Sequence, residues 1–220
     1  CFAGAMTKAR ADVRQKHFLL LRNTEVYGKQ KEVFHMSKVY IFFADGLEEI
    51  EGLTVVDMMR RAGIDISIVS MNGTLTVTGS HKITIGADVL LEDIDADEAD
   101  MFVLPGGLPG TNHLADSMLL ADILKKAYSA GKYVAAICAA PSVLGGLGIL
   151  HGKKATCYPG FEDKLTGAVC QTDNVVADGK VITSRGMGTA IEFSARLIAA
   201  LKGEKAGEDL MASIMFNYKR

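Results

Sequence analysis

Cys138 ends the apolar run Tyr133-Val134-Ala135-Ala136-Ile137 and is followed at once by Ala139-Ala140-Pro141, where a helix can begin. A buried strand that turns into a helix at a cysteine aims the thiol at the crevice along the sheet's carboxyl edge, beside free amides and the positive dipole end of the helix. That setting favours the thiolate and predicts a nucleophile, whereas a free cysteine elsewhere is more often a small buried hydrophobe. The other three cysteines lack it: Cys1 is terminal, Cys157 lies in Ala155-Thr156-Cys157-Tyr158, and Cys170 lies in Ala168-Val169-Cys170-Gln171. No Cys-x-x-Cys pair occurs, which argues against zinc and thioredoxin-like chemistry.

Two further groups fall where a sheet's carboxyl ends should be. Glu48, Glu49 and Glu51 follow the apolar run 39–44, and Gly106 and Gly107 follow the run 101–104. A carboxyl group beside a thiol can carry a proton to and from it, although most glutamates at a helix start are only solvated and dipole-stabilised. Paired glycines let backbone amides approach a developing oxyanion, or they simply make a tight turn.

The elements that must position these groups read as strand, helix, strand. Strands are expected at 39–44, 64–71, 101–104 and 133–137, nearly continuous in apolar residues as in sheets covered on both faces. Helices are expected at 48–62 (stopped by Gly63), 117–130 (closed by Gly131), 141–150, 161–165, 189–201 and 205–216. Asn72-Gly73 starts a hairpin-like excursion through 74–77 and 82–85, a short strand fits 154–157, and Asp178-Gly179 signals another hairpin. Such units with short connections imply an α/β sandwich on a mostly parallel sheet with right-handed crossovers. A doubly wound sheet binds ligands outside its carboxyl ends, so thiol, carboxyl and glycine loop share one rim.

Composition bounds the partners. With 220 residues, 49% hydrophobic, 23% charged and a net charge of −2, the chain is an ordinary globular protein without the basic face that nucleic acid requires. No apolar run approaches the roughly 20 residues of a membrane span. Four scattered cysteines do not form a secreted disulfide framework, which predicts a reducing cytoplasmic location. Residues 1–35 hold seven Lys/Arg against three Asp/Glu, and the composition shifts at Met36. They read as an N-terminal extension or expression remnant outside the fold, with one domain over 36–220.

Five segments in order carry a resemblance: Phe43-Ala44-Asp45-Gly46-Leu47-Glu48-Glu49-Ile50-Glu51, Asp57-Met58-Met59-Arg60-Arg61-Ala62-Gly63, Leu104-Pro105-Gly106-Gly107, Ala135-Ala136-Ile137-Cys138-Ala139-Ala140-Pro141, and Thr183-Ser184-Arg185-Gly186 with Gly188-Thr189. From about residue 37 to 217 the chain resembles the ThiJ/PfpI family, nearest its protein deglycase and glyoxalase III branch. The resemblance implies a flavodoxin-like three-layer sandwich, akin to class I glutamine amidotransferases, that is usually a homodimer. It makes Cys138 the reactive, oxidation-prone cysteine and Glu51 a protonated carboxyl bonded to it. Gly106, Gly107 and Ala139 become the oxyanion and substrate-binding amides. Arg60, Arg61 and Glu48 fall near the dimer contact, and Arg185 in the pocket wall or its support.

Two departures qualify this. Many eukaryotic relatives place a histidine in the pocket where this chain has Tyr158, and the protease-like branch has a histidine where this chain has Ala139. His17, His35, His81, His113 and His151 match no catalytic motif; His113, shortly after the glycine loop, could line the pocket or be a solvated helix-start residue.

The expected activity is therefore cofactor-independent and metal-free: a glyoxalase that turns methylglyoxal and water into lactate, or a deglycase acting through the same site. The alternative is a redox-sensing or chaperone-like protein with an oxidisable Cys138. A cysteine protease or amidotransferase lacks its histidine and is least supported.

Overall fold

The structure, a computed structural model, describes residues 37–216, and Met36–Arg220 is one compact unit in itself. The expectation for residues 1–35 lies outside the described residues.

Seven strands form one sheet in the order β10-β11-β7-β6-β1-β2-β5. They are β1 (Lys38–Phe43), β2 (Asp65–Ser70), β5 (Val89–Leu90), β6 (Met101–Leu104), β7 (Tyr133–Ile137), β10 (Val175–Asp178) and β11 (Val181–Ser184). All pairs are parallel except the β10/β11 hairpin at Asp178-Gly179. β2 lies on one side of β1 and β6 on the other, so the chain reverses its direction of winding at β1/β6 and opens a crevice beyond their carboxyl ends.

Helices cover both faces: α1 (Glu49–Arg61), α2 (Gly110–Asp116), α3 (Met118–Ser129), α4 (Pro141–Gly146), α5 (Ala190–Lys202) and α6 (Glu204–Ser213). Alternate residues of the central strands feed two cores. Val39, Ile41 and Phe43 join Val55, Met59, Phe193 and Leu197 of α1 and α5, whereas Tyr40 and Phe42 join Leu120, Leu124 and Leu144 of α3 and α4. This period-two division explains why the strands read as continuous apolar runs. It makes the three-layer α/β sandwich expected from the sequence.

Local differences have local causes. The expected helix 141–150 stops at Gly146: Gly145 is pressed on the Lys164 carbonyl, 2.4 Å from where its Cβ would be, and Gly148 has φ +75°. The expected helix at 161–165 is one 3-10 turn, Glu162–Lys164, and the strand at 154–157 shortens to β8 (Lys154–Ala155). The excursion after Asn72-Gly73 is the two-stranded ribbon β3 (Thr76–Thr78) and β4 (Thr84–Gly86). Short elements lacking a pattern of their own escaped the sequence reading: β5, α2 and β9 (Val169–Cys170), which pairs with β8.

Candidate active site

β7 delivers Cys138 in an elbow. Its φ is +65°, a left-handed conformation that costs a non-glycine residue energy and is held here from both sides. The Cys138 amide donates to the Ser184 carbonyl at the end of β11 (3.0 Å), and its own carbonyl accepts from the Tyr158 amide (2.8 Å). The neighbouring strand and the loop after β8 thus grip the elbow.

Glu51, in the first turn of α1, is 1% exposed. Its Oε2 accepts the Gly106 amide at 2.9 Å, while Oε1 is buried without a hydrogen-bond partner. Burial, the largest cause, pushes this carboxyl up to about 7; the Gly106 amide and the Cys138 thiol pull it down, and the charge of Glu48 adds to the rise. The thiol is pushed up to about 12, first by its own burial, then by the charge of Glu51 and the bond to it; the amides of Ala139 and Gly107 work the other way. The expected thiolate at a helix N-terminus is therefore not what the elbow alone produces. With α4 only six residues long, burial and a facing carboxylate outweigh the amides. A proton on Glu51 removes that opposing charge, so the ionisation of the thiol depends on the state of the carboxyl.

Each glycine of the loop after β6 has a separate task. A Cβ at Gly106 would lie 2.6 Å from Cys138 Cβ and 2.7 Å from Glu51 Oε2, so glycine is what lets the pair meet. At Gly107, φ is +90° and a Cβ would lie 2.2 Å from the Glu48 amide nitrogen. Because Glu51 takes the Gly106 amide, the donors left facing the sulfur are Gly107 and Ala139, a narrower set than expected.

Tyr158 is half exposed and does reach this place. A Cβ built at Gly186 would lie 3.2 Å from Tyr158 Cδ2 and 3.8 Å from Glu51 Oε1, so the ring and the orphaned oxygen look onto the same glycine. Arg185 sits behind the site: its amide donates to the Asn174 carbonyl at 3.3 Å, and its charge opposes the burial that pushes Cys157 up to about 11. His113 goes elsewhere. Its Nδ1 donates to the Asp45 carbonyl at 2.9 Å, and it lines a separate cavity of about 360 Å³ with Met71, Asn72 and Asp116.

His81, to which the sequence assigned no role, belongs to the frame of the site. From the β3–β4 connection its Nδ1 meets Glu49 Oε2 at 2.9 Å, and its amide donates to Glu49 Oε1 at 2.8 Å. Burial alone would raise the nearly buried Glu49 carboxyl, but the His81 ring and the amides of Glu49, His81 and Ile83 together hold it at about 2. His81 in turn is raised, first by its bond to Glu49 and then by the charges of Glu48 and Glu49. Among the described residues, Glu48, Glu49 and His81 also bring one donor atom each within 4.8 Å of one another, a set that matches metal-ligand types. The ion pair already accounts for those donors.

A strained cysteine, a buried carboxyl and free amides at the switch point of a three-layer α/β sheet define a protein with one cysteine-centred site. A family model described as DJ-1/PfpI matches residues 37–200, and the chain belongs to that family. It is 38% identical over 186 residues to Protein dj-1beta of Drosophila melanogaster, covering 83% of this chain and all of that protein. It is 34% identical over 166 residues to the glutathione-independent glyoxalase DJR-1.2 of Caenorhabditis elegans, covering 74% of this chain and 88% of that one. Among solved structures, oxidized Toxoplasma gondii DJ-1 superposes with a TM-score of 0.80 at 34% identity, over 83% of this chain and all of that chain. The chain spans only 40% of Arabidopsis thaliana DJ-1 homolog B, which it matches at 44% identity.

Proposed function

We propose that this protein is a cofactor-independent enzyme for small reactive dicarbonyls, with methylglyoxal converted to lactate at Cys138. The carrying observation is the thiol held against a buried carboxyl that stands well above its ordinary range, with the Gly107 and Ala139 amides facing the sulfur. In this scheme the sulfur adds to the aldehyde carbon and the thiol proton ends on its oxygen, forming a hemithioacetal whose developing charge the two amides stabilise. Glu51 takes the proton from that carbon and returns it to the adjacent ketone carbon, while the hydroxyl proton passes to the former ketone oxygen, leaving the thioester of lactate. Water cleaves the thioester, releasing lactate and the free thiol. A relative named as a glutathione-independent glyoxalase supports this reading. Deglycation of early sugar adducts would use the same addition step.

The orphaned Glu51 Oε1 favours a second use of the site. One peroxide oxidises the thiol to a sulfenic acid and a second takes it to a sulfinic acid, one water leaving each time; the added oxygens would then lie beside a buried carboxyl that lacks a partner. The solved relative described as oxidized is in keeping with this. Protease chemistry has no support at the elbow, where Ala139 follows the cysteine and His113 lies elsewhere.

A homodimer contact falls on the outer stripe of α1. Ile50 and Ile83 are half exposed and, with Leu53, Met58, Ile191 and Ile214, form an apolar groove of about 690 Å³ rimmed by Asp57 and Arg61. A second copy covering this stripe is the proposed partner.

The test is lactate formation from methylglyoxal without glutathione, comparing wild type, Cys138→Ala and Glu51→Gln. Turnover lost in both variants is the expected result. Undiminished turnover in Cys138→Ala would sink the scheme. Wild type that makes no lactate but gains two oxygens at Cys138 under mild peroxide would make the redox reading the better one.

A further inference from the structure

A concavity outside the cysteine site lies among α5, α6 and the segment entering β10, with a volume of about 690 Å³. None of Cys138, Glu51, Gly107 or Tyr158 lines it. Its rim carries Asp173, Glu192, Glu204 and Glu208 against a single guanidinium, Arg196. Two of the four carboxylates are engaged: Glu192 accepts from Asn174 Nδ2 at 3.0 Å, and Glu204 pairs with Arg196 at 2.5 Å. Asp173 and Glu208 have no hydrogen bond or ion pair among the described residues. Lys205 feels the charge of Glu208, but it bonds Asp209 at 2.9 Å and does not line the groove.

The floor is of another character. Val175, Met211 and Phe216 are only partly exposed there, and α5 and α6 are tightly joined behind them, since a Cβ at Gly207 would lie 2.7 Å from the Ala195 carbonyl oxygen. A concave, partly apolar wall under excess negative charge concentrates cations and repels anions. Methylene groups gain contact with such a floor, while ammonium groups reach the rim. The volume is within the range of roughly 300–1,000 Å³ usual for small-molecule sites.

We propose that this groove binds an aliphatic polyamine: a flexible chain of methylenes carrying ammonium groups at intervals, lying on Val175, Met211 and Phe216 with its charges at Asp173 and Glu208. Binding is non-covalent and independent of the chemistry at Cys138.

The experiment is calorimetric titration of the full chain with spermidine at low salt and at physiological salt. One saturable site is expected, weakened as salt rises because its charged contacts lie at the surface. The isosteric double variant Asp173→Asn/Glu208→Gln should bind about tenfold more weakly, as expected for the loss of two exposed ion pairs. Cys138→Ala, and Asp116→Asn on the separate cavity lined by His113, should bind like wild type. Absence of saturable binding overturns the proposal. Equal weakening in Asp116→Asn also overturns it, because the attraction would then be diffuse and not seated in the groove.

Discussion

Position 106 requires glycine because of its neighbours. An added Cβ would enter the contact between Cys138 Cβ and Glu51 Oε2, 2.6 and 2.7 Å away. Gly106→Ala should therefore lower stability by about 1–3 kcal/mol, as other overpacked sites do, and lower turnover at least tenfold because the thiol and carboxyl are pushed apart. Urea unfolding and lactate formation read the two effects separately. Glu51 has its own signature in pH. Between its ordinary 4.5 and about 7 the folded protein holds a proton that the unfolded chain has lost, so stability falls as pH rises through that window. The loss amounts to about 3 kcal/mol from this group. Glu51→Gln should flatten that part of the curve and be more stable than wild type at pH 8; a variant profile parallel to that of wild type would refute the assigned burial cost. Cys138 and the glycines stood out in the sequence because each follows a strongly patterned strand, whereas spacing left Glu48, Glu49 and Glu51 equivalent and only the family resemblance singled out Glu51. That the Gly106 amide would be taken up by Glu51 was not legible, since the two meet across 55 residues of chain.

At the scale of elements, the β3–β4 ribbon is fastened to the start of α1 by one buried carboxylate. Glu49 accepts from the His81 ring and the His81 amide, with the Ile83 amide at 3.5 Å, and Ser80 donates its amide to the Leu47 carbonyl at 2.8 Å. Glu49→Ala leaves those amides without their acceptor and should cost roughly 1–3 kcal/mol. Hydrogen exchange should then accelerate in the ribbon first and in β7 least. The two partners bound the pH range of the clamp. Glu49 is depressed, so its contribution is present above 4.5 and is lost as pH falls toward about 2. His81 is raised, so its contribution is complete below 6.5 and is lost as pH rises through its elevated pKa. His81→Ala should abolish the alkaline loss of the clamp and shrink the acid one, which the backbone amides then sustain without the ring, as followed by thermal unfolding across pH. The glutamates were legible as helix-start residues, but the histidine was not. A single imidazole in a weakly patterned ribbon gives no sign of what it will face 32 residues away.

For the molecule as a whole, the proposed dimer contact on the outer stripe of α1 is open to test. Ile50, Leu53 and Ile83 leave apolar surface in water that a second copy would cover. Leu53→Asp should convert a dimer to a monomer in sedimentation velocity, while wild type sedimenting as a monomer at all concentrations would remove the contact. The sequence by itself determined the layered α/β architecture, since nearly unbroken apolar strands alternating with amphipathic helices can be buried only with helices on both faces of a parallel sheet. It also placed the thiol, the three candidate carboxyls and the glycine loop just beyond strand ends, because those ends are set by local pattern. Tertiary structure alone decided which titratable groups influence one another, which amides still face the sulfur, that His113 turns away and that Tyr158 turns in. Those outcomes depend on distances between side chains from different elements and on how deeply each is buried. Electrostatic energy depends steeply on both, and neither is encoded in the spacing of residues along the chain.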